Sequence, residues 1–443
     1  MRPLALAVFP FFVPLVAVHA AQTLPAGQSA AEYRGWRSLR LDNGLVALEI
    51  VPDIGGRVIQ FRLGEKEFLW VNPALAGQMP PATGLAPDGS WLNYGGDKLW
   101  PAPQGWDNDE QWPGPPDAVL DGQPHRAEVL DDGAAVRLTS RDDPRSGIRF
   151  SRTIRPIPNR SGVRFEATMT NVDVKPRRWG IWAHTQLDAA EKNGTGHNAR
   201  MRAYCPLNPQ SKYPLGYRVI FGGENNPSFR TDRDRGLVCV DYRYQVGKIG
   251  VDSPGGWVAS VDGTCGAVFV QRFVYEPERE YPDGASVEFW HNGVGTIHAY
   301  NEDMVMPSDP AQNPFVFESE ILSPLARLAP GESYTWRYEW FATNIGGDFE
   351  VEGCNEAGVI VEPLRASRTA AGWRLTGRFG VFARCEPYVE WRDSQLKVLG
   401  KSPLRVPATP LEPLLVKETM VAPEGAHVAA LIAGNEVDSV ELR

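Results

Sequence analysis

FEATMTNVDVKPRRWGIWAHTQ, residues 165–186, is the stretch whose reading decides the fold. Val163, Phe165, Ala167 and Met169 alternate with Arg164, Glu166 and Thr168, the period of a strand with one buried face. Asn171 ends that run, a polar turn passes through Pro176, and a second apolar run begins at Trp179. Two such runs around a turn predict a hairpin. Its return strand carries His184 between Ala183 and Thr185, so the ring points at whatever lies over the sheet. The ordinary alternative is a hydrogen-bonded core or rim histidine.

Outward from this segment, strand-like runs continue from Tyr33 to about Asn344. They include 45–51, 148–157, 257–261, 267–274 and 286–291. In 334–341, Tyr334, Trp336, Tyr338 and Trp340 alternate with Thr335, Arg337 and Glu339. Asn344-Ile-Gly-Gly347 interrupts the pattern, and shorter strands follow at 372–378, 388–391, 395–399 and 427–433. The expected organisation is a β domain over 33–345 and a small β-sandwich of immunoglobulin-like size over 346–443. Gly (44) and Pro (38) are spread along the 443 residues, which suits many strands joined by turns and disfavours long helices.

Residues 1–20 read as a secretory signal: Arg2, an apolar run to Val18, and a Val18-His19-Ala20 cleavage site. The run is short for a membrane span, and no other segment approaches that length. A soluble protein, periplasmic or secreted and not membrane-inserted after cleavage, is therefore expected. The formal charge of −9, with both signs intermixed, argues against nucleic acid or an anionic membrane as the main partner. Oligomeric state is not readable. Five cysteines (Cys205, Cys239, Cys265, Cys354, Cys385) allow at most two disulfides, and Cys354 with Cys385 could form one. The alternative is five small buried apolar residues. No cysteine–histidine spacing indicates a metal, and no cofactor motif is present.

The 165–186 segment resembles the central hairpin of the galactose mutarotase-like (aldose 1-epimerase-like) family, which ends in a catalytic histidine. Three further segments carry the resemblance. Residues 51–70, VPDIGGRVIQFRLGEKEFLW, match the family's opening hairpin, with Gly55-Gly56 at the bend and Arg57 directed either into the concave face or into solvent. Residues 93–106, NYGGDKLWPAPQGW, match a Gly-Gly segment leading to an aromatic-Pro pair, here Trp100-Pro101, at the edge of a sugar site. Aromatics among polar groups suit sugar C–H faces and hydroxyls, and make Tyr94, Lys98, Trp100 and Gln104 candidate binding residues in a loop walling the pocket. Residues 314–324, PFVFESEILSP, match the strand of the catalytic base, with Glu318 in its slot and Glu320 on the same face. No likeness covers residues 191–235.

The resemblance implies a large antiparallel β-supersandwich, all-β. It also implies interconversion of sugar anomers without cofactor or metal, with His184 as acid and Glu318 as base. His125 is the candidate for a second, hydroxyl-binding histidine, although its DGQPHRAEV context lacks the family's His-Gly pair. Two other functions stay open: a non-catalytic sugar- or glycan-binding protein, and a polysaccharide lyase using Tyr94, Lys98 and Arg57. His184 and Glu318 are expected in one concave pocket with Trp100, converging within a sugar ring's span of roughly 5–8 Å.

Overall fold

A computed structural model describes residues 31–192 and 194–443; the expected signal at 1–20 lies outside the described residues. Two large antiparallel sheets pack face to face. The first has twelve strands among the described residues. Its central order is Arg57–Leu63, Asp97–Ala102, Arg177–Asp188, Val316–Leu322, Val287–His291 and Gly247–Val251. The second has ten, with Ala267–Phe273, Ser333–Asn344, Gly162–Asn171 and Ile148–Pro156 at its centre. The alternation read from Tyr334 to Trp340 is real: Trp336, Tyr338 and Trp340 are buried and Thr335 and Arg337 exposed. Between the sheets, Phe61 of the first meets Phe269 and Trp340 of the second. This is the all-β supersandwich expected.

The hairpin at 165–186 is corrected. Gly162–Asn171 pairs with Ile148–Pro156 and Ser333–Asn344 in the second sheet. Arg177–Asp188 pairs with Asp97–Ala102 and Val316–Leu322 in the first. The turn carries the chain from one sheet to the other. Buried Asn171 donates to Lys175 O (3.0 Å) and Leu328 O (2.9 Å), and Arg177 Nε donates to Asp173 (2.8 Å). Period-two alternation identifies a strand and its buried face, but not the strand it pairs with. By contrast, Val46–Val51 and Arg57–Leu63 do form the opening hairpin. Gly55 and Gly56 adopt φ of 76° and 62°, and a Cβ on either would strike Asp121 O or the His125 ring.

Beyond Asn344, two four-stranded sheets carry their own core, including Leu375, Phe379, Val389, Trp391 and Leu431. The strand expected at 395–399 lies at Val398–Pro403, because Asp393 holds a turn through Gln395 N and Lys397 N and Leu396 has φ 63°. A third cluster runs across the junction, joining Trp257, Val268 and Phe341 to Val351, Val359 and Phe382. All five cysteines are free; Cys354 and Cys385 do not pair, and Cys265 is exposed, contrary to burial of all five. Among the described residues no helix is long and apolar enough to cross a membrane.

Candidate functional site

The site is built on alternation in neighbouring strands of the first sheet. In Arg177–Asp188, Ile181, Ala183 and Leu187 enter the core, which turns Trp182, His184 and Gln186 to the other face. In Val316–Leu322, Phe317 and Ile321 are in the core, and Glu318 and Glu320 share the site face as the sequence predicts. Register places His184 opposite Lys98 on one side and Glu320 on the other, with Gln186 opposite Glu318. The next strand adds Glu288 opposite Glu320 and Trp290 opposite Glu318.

His184 Nε2 lies 3.0 Å from Glu318 Oε2. Gln186 donates to the other Glu318 oxygen (2.7 Å), and Lys98 Nζ donates to Gln186 (3.2 Å). Trp182 Nε1 donates to Glu320 (2.8 Å). Lys248 Nζ bridges Glu288 (2.7 Å) and Glu320 (3.0 Å). The two residues are thus in direct contact, within the expected ring span.

Above this floor is a cavity of about 720 Å³ lined by His184, Glu318, Trp100 and Gln104, as expected. Trp91, Trp106, Trp182 and Trp290 add aromatic wall, and Asn72, Asn93, Gln186 and Asn292 add amides. The Trp100 ring sits 4.1 Å from that of His184. The expected 93–106 loop is in part a strand, Asp97–Ala102, buried along its whole length.

Burial governs the electrostatics. Desolvation, reinforced by the Lys98 and Lys248 charges, holds the His184 pKa well below 6.5. Desolvation raises Glu318, against the opposing pull of Lys98 and Gln186. Both shifts favour the neutral form of their group, the opposite sense to the acid role of His184 and the base role of Glu318 that the resemblance implies. Desolvation lifts Glu288 and Glu320 to about 7 and lowers Lys98 to about 7. Lys248 stays charged because two carboxyls face it.

Five other candidates stand outside the cavity lining. Arg57 is neither solvated nor aimed into the cleft: fully buried, it pairs with Asp121 (2.7 Å) and donates to Gly95 O (3.0 Å). Tyr94 is buried against Trp36, with the Arg57 guanidinium 5.8 Å from its ring. Lys98 is covered by Trp91 and Trp100 and reaches Glu318 only through Gln186. Glu320 lies beneath Trp182 and Lys248. His125 is held against Gly56, lines a separate cavity with Arg37 and Arg141, and burial lowers its pKa to about 3.

Sequence reasoning missed Trp182, Gln186, Lys248, Glu288 and Trp290. Trp182 and Gln186 were legible as the two-residue neighbours of His184 on one strand face. Lys248 and Glu288 carry no local signal, since only sheet order brings them beside Glu320. His184, Glu318 and Glu320 offer ligand atoms within 4.8 Å of one another, a spacing able to hold a cation. The Lys248 ammonium, bonded to Glu320, already supplies positive charge there.

The sequence pattern of the family described as a domain of unknown function, DUF4380, matches residues 37–343. Among solved structures, a TPR-domain containing protein from Parabacteroides distasonis is similar at 13% identity and TM-score 0.43. The match covers 70% of this chain and 47% of that one, so the chain spans about half that protein's length. A galactose mutarotase-like protein from Lactobacillus casei is similar at 11% identity and TM-score 0.43, over 69% of this chain and 99% of that one. A galactose mutarotase related enzyme from Lactobacillus acidophilus is similar at 10% identity and TM-score 0.40, over 69% and 97%.

Proposed function

We propose that this chain, which belongs to the DUF4380 family, binds a sugar in the cavity over His184 and Glu318 and interconverts its anomers by acid–base chemistry. The observation that carries the reading is the 3.0 Å contact between these two residues on the floor of a tryptophan-walled cavity. With Glu318 protonated and His184 neutral, the senses in which burial shifts them, the pair offers one donor and one acceptor together. The protonated Glu318 carboxyl gives its proton to the ring oxygen as the C1–O5 bond breaks, and the His184 imidazole takes the proton of the anomeric hydroxyl, leaving an aldehyde. Rotation about C1–C2 and the reverse transfers close the ring on the other face. The sugar's two oxygens replace the contact that the pair makes in the free protein. Residues 1–20 support placing this activity outside the cytoplasm.

NMR exchange between anomers over a panel of reducing sugars tests the reading. The wild type should exceed the uncatalysed rate, and Glu318→Gln and His184→Asn should each lose roughly 10²–10⁴-fold. Uncatalysed rates with wild type on every sugar would refute it.

A second reading, a binding protein without turnover, draws on one observation. Both Glu318 oxygens are already bonded, to His184 and Gln186. Sugar binding that survives both substitutions, with no exchange, would select it. The residues expected for lyase chemistry, Tyr94, Lys98 and Arg57, do not line the cavity.

A further inference from the structure

The cavity is larger than one sugar, and its lining combines a polar floor with an apolar hairpin. Its volume of about 720 Å³ exceeds several-fold the space of one pyranose, on the order of 200 Å³ for twelve heavy atoms at interior packing density. The floor holds the hydrogen-bonding groups described above. Part of the wall belongs to a hairpin, Gly295–Ala299 with Glu302–Met306, which among the described residues forms a two-stranded sheet of its own, outside both large sheets.

That hairpin is amphipathic. Ile297 and Ala299 are buried and Met304 and Met306 half-buried, all four facing the cavity, while Thr296, His298, Asp303 and Val305 are exposed. Its apolar face meets Trp290, the cross-strand neighbour of Glu318, so the apolar wall adjoins the proposed reacting centre. The tip is tied down across the opening: Tyr300 OH donates to Pro115 O (2.8 Å), and its ring lies 4.8 Å from that of Trp106. Aliphatic and thioether groups cannot pair with the hydroxyls of a second sugar, and they are well suited to a hydrocarbon of variable shape. No arginine or aspartate lines the cavity among the described residues, and its one lysine, Lys248, is committed to Glu288 and Glu320.

We infer that the ligand is a neutral reducing sugar bearing an apolar acyl or aryl substituent away from the anomeric carbon, with the substituent held under the 295–306 hairpin. This rests on the sugar-site reading above and narrows it. A uronate would leave its carboxylate without a free cation, and a disaccharide would set hydroxyls against Ile297, Met304 and Met306.

Titration calorimetry on the full chain tests it. The probes are glucose and galactose, their 6-O-octanoyl esters, maltose as a size control and glucuronate as a charge control. Each buried methylene contributes about 0.8 kcal/mol, or about fourfold in affinity, so the esters should bind at least tenfold tighter than their parent sugars. In Met304→Asp the ester-to-parent ratio should collapse toward one. Maltose matching the esters, glucuronate exceeding glucose, or an ester-to-parent ratio of one in wild type overturns the substrate class and leaves the sugar site standing. No binding of any sugar or ester overturns both.

Discussion

His184 and Glu318 touch at 3.0 Å although neither is the other's partner in register: His184 faces Glu320, and Glu318 faces Gln186. The contact is a diagonal across two antiparallel strands, so a one-residue slip of either, which would turn its side chain to the other face, would break it. The register is pinned from behind. Thr185, next to His184, donates to Asp97 (2.7 Å) and accepts from Gln271 of the second sheet (3.1 Å). Ser319, next to Glu318, donates to Gln271 (2.6 Å), and Arg152 pairs with Asp97. One face of each strand carries the site, and the other locks it to the opposite sheet.

Gln271→Leu removes the amide that links these strands and leaves Thr185 and Ser319 buried with fewer partners. A loss of about 1–3 kcal/mol is expected, read as a lower urea midpoint at unchanged slope. An unchanged midpoint would show that the network does not hold the strands.

Arg57→Met strands the buried Asp121 carboxylate, which also accepts from Trp91 Nε1. Loss of one partner of a buried pair costs about 3–5 kcal/mol, and the double variant Arg57→Met/Asp121→Asn should recover part of it. Thermal unfolding of these two variants and of the single variant Asp121→Asn measures the coupling.

Stability should depend on pH through the buried cluster. Glu288 and Glu320 titrate near 7 in the folded protein against 4.5 ordinarily, so the folded state binds more protons in that window. Their contribution is full below about 4.5 and is lost as pH rises through 7. Lys98 titrates near 7 against 10.5, so between these values the folded state binds fewer protons and stability rises with pH. Tm across pH 4.5–10 should show the lower slope flattened in Glu320→Gln and the upper slope flattened in Lys98→Met.

Truncation after residue 345 uncovers Phe341, Val268 and Trp257, which pack on Val351, Val359 and Phe382. The shortened chain should aggregate, or bind a hydrophobic dye that the full chain does not. A monomeric, dye-silent truncation would mean that the large sandwich does not need the C-terminal sheets.

The strands, the two-residue alternation and the shared face of Glu318 and Glu320 were determined by sequence alone, because alternation is a local property of the pleated backbone. The convergence of His184, Glu318 and Trp100 was an expectation from the resemblance of their segments, and the pairing of their three strands realises it. Tertiary structure alone decided which strands are neighbours. It sent the two halves of 165–186 to opposite sheets, brought Lys248 and Glu288 to Glu320 from elsewhere in the chain, and took Arg57, Tyr94 and His125 out of the cavity. It also decided the direction of titration: burial pushes the Glu318 pKa up against the pull of two lysines, and burial together with those lysines pushes the His184 pKa down. Pairing partners and desolvation are set by residues distant in sequence, and no local pattern encodes them.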